Sequence, residues 1–101
     1  MKQQTVIGKV HFEGIGLHTG NQIQMSILPS NADSGISFKR IDVNPHTLIK
    51  VDIDNVSTTQ RGTTLSCLNI KVHTVEHILS ALYALEIDNA IIELDNNEVP
   101  I

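Results

Sequence analysis

The stretch His73-Thr74-Val75-Glu76-His77 places two imidazoles and a carboxylate in immediate succession. A His beside a Glu offers a neutral nitrogen ligand and a base of suitable reach, the pair that metal-assisted hydrolysis requires. Val75, Ile78, Leu79, Leu82 and Leu85 recur at helical spacing, so this stretch opens an amphipathic helix. At ~100° per residue, His77 lies ~200° from Val75 and Glu76 sits on the flank of the apolar stripe. Both fall in the first turn, where the helix dipole favours a carboxylate and eases loss of a proton from a bound water. The order is not that of the His-Glu-x-x-His zinc motif. His73 and His77 are four apart, so a local metal site of His73, His77 and Glu76 is geometrically open. The plainer alternative is that His73 caps the helix or is solvated, with Glu76 and His77 as surface residues.

Two further stretches hold polar groups in glycine-containing settings. Gly14-Ile15-Gly16-Leu17-His18-Thr19-Gly20 is a turn or shaped loop that would let backbone, imidazole and hydroxyl approach a polar ligand. It is not a dinucleotide fingerprint, and an ordinary turn between strands is the alternative. Thr58-Thr59-Gln60-Arg61-Gly62-Thr63-Thr64 sets an Arg among hydroxyls, a composition suited to phosphate or to solvent. Cys67 has apolar neighbours and no activating partner, which suggests a buried, inert thiol. Phe12, Phe38 and Tyr83 read as core or helix-flank residues.

The elements that must position these groups are mostly strands. Thr5 to Val10 is β-branched and reads as a first strand. Ile23, Met25 and Ile27 alternate with polar residues, as do Ile36 and Phe38, and Ile49, Val51 and Ile53. Asn44-Pro45 breaks the pattern between the last two. Thr63 to Leu68 and Ile70 to Val72 form two short strands meeting near Asn69. The helix is expected from about Thr74 to Leu85, followed by an apolar strand Ala90 to Leu94. Strands first and one helix late make the class α+β, a mostly antiparallel sheet packed against a helix.

Composition narrows the function. The 101 residues allow one domain, with 41% apolar residues but only 3% aromatic ones, so Ile, Leu and Val must fill the core. A net charge of −4 argues against a phosphate backbone as partner. No apolar run approaches the ~20 residues of a membrane helix. The start lacks the features of a secretory signal. With one cysteine, neither an internal disulfide nor a Cys-rich zinc site can form, and a cytoplasmic location is expected.

Five blocks, taken in order, resemble one family. They are Gly14 to Gly20, Thr59-Gln60-Arg61-Gly62-Thr63, Thr74-Val75-Glu76-His77-Ile78-Leu79-Ser80-Ala81-Leu82, Ile87-Asp88-Asn89-Ala90-Ile91-Ile92-Glu93-Leu94, and Glu98-Val99-Pro100-Ile101. Their order is similar to that of UDP-3-O-acyl-N-acetylglucosamine deacetylase, the zinc amidase of lipid A biosynthesis. The Thr-Gln-Arg-Gly-Thr block looks most like members fused to a hydroxyacyl-carrier-protein dehydratase.

The resemblance implies a ribosomal S5 domain 2-like half of a two-domain enzyme, with the active site between the halves. Residues 1–101 would be an incomplete first domain, about a third of the whole, missing its last helix. It implies that His77 is a zinc ligand and that Glu76 is the general base that takes a proton from the attacking water. Acetate would leave UDP-3-O-acyl-N-acetylglucosamine as a free amine forms. His18 would line the site, Thr63 and Thr64 would sit near the cleft, and Arg61 would approach the diphosphate. The family's remaining zinc ligands, a His and an Asp of a second domain, match nothing here, so the chain alone is expected to be inactive. The alternative is a non-catalytic module that binds a partner protein through an apolar face left uncovered on Ile91, Leu94 and Val99.

Overall fold

A computed structural model describes residues 3–16, 20–52, 55–59, 62–67 and 70–100. The chain runs β1 (Val10–Ile15), β2 (Gln22–Pro29), β3 (Ile36–Arg40), β4 (Thr47–Lys50), β5 (Val56–Thr59), β6 (Gly62–Cys67), β7 (Ile70–His73), α1 (Glu76–Ala84) and β8 (Ala90–Leu94). One sheet has the order β1-β2-β8-β3-β4 and a second the order β5-β6-β7. Among the described strands, β3 and β8 pair parallel and the other pairs are antiparallel. The class is therefore α+β, mostly antiparallel with one helix, as the sequence pattern predicts.

The alternating strands place their apolar residues in register. Ile27 pairs with Ile92, Ile92 with Phe38, and Phe38 with Ile49, an apolar row crossing four strands. All four are buried. The most apolar strand, β8, is central, because its alternate side chains Ala90, Ile92 and Leu94 are all withdrawn from water. Leu65 and Val72 of the second sheet and Val75 and Leu82 around α1 join the same cluster. Burying each large aliphatic side chain contributes about 1.5–3 kcal/mol, and this shared core holds sheets and helix together.

Polar ties fix the remaining geometry. Arg40, at the end of β3, donates from Nε and Nη2 to the Asp42 carboxylate at 2.7 and 2.6 Å. Its Nη1 donates to the Lys71 carbonyl of β7 at 2.8 Å, so one guanidinium bridges the two sheets. Arg40 draws the Asp42 carboxyl below the usual carboxylate range, chiefly by hydrogen bonding, against the opposing effect of burial.

Several elements differ from expectation for identifiable reasons. The first strand is Val10–Ile15, not Thr5 to Val10. Residues before it are claimed by the turn that follows α1: the Gln4 N–H donates to the Asp88 carboxylate at 2.8 Å, and Asn89 donates back to the Gln4 carbonyl. Asn89 is buried; its side chain donates to Gln3 Oε1 and accepts from the Gly35 N–H, both at 2.8 Å. Gly14 and Ile15, expected in a glycine turn, belong to β1 and face Ile23 and Gln22. Thr58 and Thr59, expected in a loop, belong to β5, which pairs along β6. The helix begins at Glu76 and ends at Ala84, so Leu85 falls past its end and is exposed. Tyr83 and Phe12 are exposed as well, whereas Phe38 is core. The expected uncovered face is not found at Leu94 and Val99, which are buried within this chain; Ile91 is half-buried. Cys67 is half-buried rather than fully enclosed.

Candidate active site

Thr63 of β6 organises the start of α1 through its backbone. Its carbonyl accepts from the N–H groups of Thr74 and Val75 at 3.0 and 3.3 Å. Its own N–H donates to Glu76 Oε2 at 3.0 Å. The Glu76 carboxylate is thus held by one oxygen against the strand beside it, half-buried, in the first turn of a helix whose dipole favours negative charge. Gly62 makes this approach possible. It sits at φ +120°, and a Cβ there would come within 2.8 Å of Glu76 Oε1. Its role in seating Glu76 is not visible in the sequence, where it reads only as a loop glycine.

His77 follows on the exposed side of α1. With Thr74, Val99 and Pro100 it lines an apolar cleft of about 200 Å³. The helical phase inferred from the apolar stripe therefore holds: Val75 and Leu82 are buried, Glu76 lies on the flank and His77 faces outward.

His73 stands apart from this arrangement. It ends β7 rather than sharing the helix, and its Nδ1 is 3.0 Å from the hydroxyl oxygen of Thr64. Thr74, at φ +62°, turns the chain between His73 and α1. The four-residue spacing of His73 and His77 thus spans a strand end and a turn and is not a helical one. Among the described residues, no group of three or more His, Cys, Asp or Glu side chains is placed to hold a metal ion.

Of the remaining expected site residues, Thr64 is buried and engaged with His73, and Thr63 contributes main-chain groups. His18 and Arg61 lie outside the described residues. Two residues that spacing did not single out also shape the site. Glu98 is fully buried, and its Oε2 accepts from the Thr74 hydroxyl at 3.2 Å. Val99 donates to the His73 carbonyl at 3.1 Å, laying this segment beside the end of β7.

A small α+β domain with a carboxylate and an outward imidazole on consecutive residues at a helix start carries donor types found in metal-assisted hydrolases. The comparisons make this class specific. Residues 3–101 match the model of the UDP-3-O-acyl N-acetylglycosamine deacetylase family, and the chain belongs to that family. It is 46% identical over its full length to UDP-3-O-acyl-N-acetylglucosamine deacetylases of Cellvibrio japonicus and Saccharophagus degradans, covering 33% of each. It is also 44% identical over 100 residues to the bifunctional enzyme LpxC/FabZ of Porphyromonas gingivalis, covering 22% of that protein. The chain thus spans about a third of the length of the deacetylases it matches.

Proposed function

We propose that this chain supplies one wall of a deacetylase site acting on UDP-3-O-acyl-N-acetylglucosamine, in the biosynthesis of lipid A. The observation that carries the proposal is the seating of Glu76. A main-chain N–H fixes one carboxylate oxygen, a glycine accommodates the other, and the next residue presents an imidazole at a cleft.

In this reading Glu76 is the general base. It takes a proton from the water that attacks the acetamide carbonyl, so that acetate departs and an amine remains. His77 would be a zinc ligand; its exposure at the cleft and its imidazole chemistry fit that role. Zinc, when bound, supplies Lewis-acid polarisation and lowers the pKa of water. A catalytic zinc takes about three protein ligands. This wall brings one, so the 101-residue chain alone is proposed to be inactive, with further ligands supplied by a second domain. Residues 1–101 then act as part of the first domain, in the cytoplasm. His18, Arg61, Thr63 and Thr64 are proposed substrate contacts on the strength of the family blocks. For Thr63 the geometry favours main-chain groups, and for Thr64 it favours a hydroxyl shared with His73.

A chimera tests the proposal. This chain replaces the matching first third of the Cellvibrio japonicus deacetylase, and the purified product is assayed for zinc content and turnover. The expected outcome is deacetylation by the chimera, with stoichiometric zinc lost in His77→Ala. Full zinc occupancy in His77→Ala would remove His77 from the ligand set.

The non-catalytic alternative loses its original motive, because Leu94 and Val99 are covered within the chain.

A further inference from the structure

Thr74 is a β-branched residue at φ +62°, a conformation that L-residues avoid and that Gly enters without steric cost. It is also buried, at the point where β7 gives way to α1. Backbone strain persists at such a position only where surrounding contacts enforce it. Those contacts are identifiable. On one side, the Thr74 N–H donates to the Thr63 carbonyl at 3.0 Å. On the other, residues 97–99 run beside the strand end: the His73 N–H donates to the Asn97 carbonyl at 2.8 Å, and Val99 donates to the His73 carbonyl. Between them, the Thr74 hydroxyl donates to the fully buried Glu98 carboxyl.

Gly at position 74 would avoid the strain but could not reach Glu98. We infer that Thr74 and Glu98 form a positioning pair: Glu98, through the Thr74 hydroxyl, holds the left-handed turn that directs Glu76 toward Gly62 and His77 into the cleft with Val99 and Pro100. The cleft supports this coupling. Two of its walls, Val99 and Pro100, directly follow Glu98, and a third is Thr74 itself. Glu98 thus fixes the turn before the helix and the segment facing His77 together. Glu98 and Thr74 are positioning residues, not catalytic ones. Their significance for hydrolysis rests on the function proposed above, but the geometric claim stands or falls separately.

The test uses the 101-residue chain and NMR. In the parent protein, His77 ring protons should show NOEs to Val99 and Pro100, and the Thr63 amide, which donates to Glu76 Oε2, should be protected from exchange. Thr74→Val removes the hydroxyl while keeping shape; it should abolish those NOEs and lower Thr63 amide protection by about tenfold, the scale of one buried hydrogen bond. Thr74→Ser restores the hydroxyl and should restore both. Glu98→Gln keeps an acceptor and should retain the NOEs, whereas Glu98→Leu should lose them. Exchange at Ile92 in the central strand reports whether each variant remains folded; a variant unfolded there is replaced by its milder counterpart, Thr74→Ala or Glu98→Met. Intact His77 NOEs and unchanged Thr63 protection in folded Thr74→Val would overturn the pairing, as would failure of Thr74→Ser to restore them. A chimera that remains active with Glu76→Gln would instead refute the catalytic reading and leave the pairing standing.

Discussion

At the scale of single residues, the site depends on one close approach. The Glu76 carboxylate lies against the backbone of β6 because position 62 has no side chain and can adopt φ +120°. Gly62→Ala introduces a Cβ at 2.8 Å from Glu76 Oε1 and places an L-residue in a disfavoured backbone region. The expected result is a loss of about 1–3 kcal/mol in denaturant unfolding, together with displacement of Glu76 seen as a shifted Thr63 amide resonance. A variant with parent stability and an unmoved Thr63 resonance would show that the approach is looser than the geometry requires. The sequence displayed Glu76 and His77 openly, because adjacent acid and imidazole are conspicuous in an amphipathic pattern. It concealed Gly62 and Glu98, because their roles arise from contacts between segments 14 and 24 residues apart in the chain.

At the scale of elements, α1 is short and ends by a device its sequence does not advertise. Glu86 sits at φ +59° after the last helical turn. Its N–H donates to the Tyr83 carbonyl, and the Ile87 N–H donates to the Leu82 carbonyl, closing the helix in the pattern usually made with Gly. Ile87 packs against the core cluster that contains Leu82. Glu86→Gly should therefore raise stability by about 0.5–1 kcal/mol, after allowance for the freer unfolded chain. A lower melting temperature would contradict that account. The stripe from Val75 to Leu82 was legible because period 3.6 is a local signal; the end of the helix was not, since Leu85 continues the pattern after the backbone has left it. Strand β5 was hidden for a similar reason. Val56-Ser57-Thr58-Thr59 has no alternation of apolar residues, and its pairing with β6 defines it as a strand.

The contact between sheets yields a pH prediction. Hydrogen bonds from Arg40 hold the Asp42 carboxyl below its ordinary value of 3.8. A carboxyl depressed in the folded state stabilises it above the unfolded pKa, and that contribution fades as pH falls through the folded one. Asp42→Asn should thus cost about 0.5–1 kcal/mol at neutral pH by weakening the Arg40 bridge, a modest amount because Asp42 is exposed and solvent screens the pair. The gap between variant and parent should be complete above about pH 5 and narrow as pH falls below about 4. Urea melts at three pH values read it directly, and a gap that widens on acidification would reverse the assignment.

At the scale of the molecule, the two sheets and the helix share one core. Its row of Ile27, Ile92, Phe38 and Ile49 carries the frame on which the β6–α1 junction is built. That row was readable as alternating apolar positions, but the order of the strands was not: β8, late in sequence, inserts between β2 and β3. The family follows from the match over residues 3–101, and the resemblance had already indicated it from five short blocks. Two of those blocks have structural roles in this chain. Asp88 and Asn89 tether the residues before β1, and Glu98 holds the turn before α1. No helix among the described residues is long and apolar enough to cross a membrane.

The central claim is that this domain contributes the general base of a deacetylase. The direct measurement is turnover of UDP-3-O-acyl-N-acetylglucosamine by the chimera carrying Glu76→Gln, with zinc content determined on the same sample. Loss of a general base lowers the rate by about 10²–10⁴-fold. The account predicts a loss of that size with zinc fully retained. Turnover within a few-fold of the unsubstituted chimera, at equal zinc content, would contradict it.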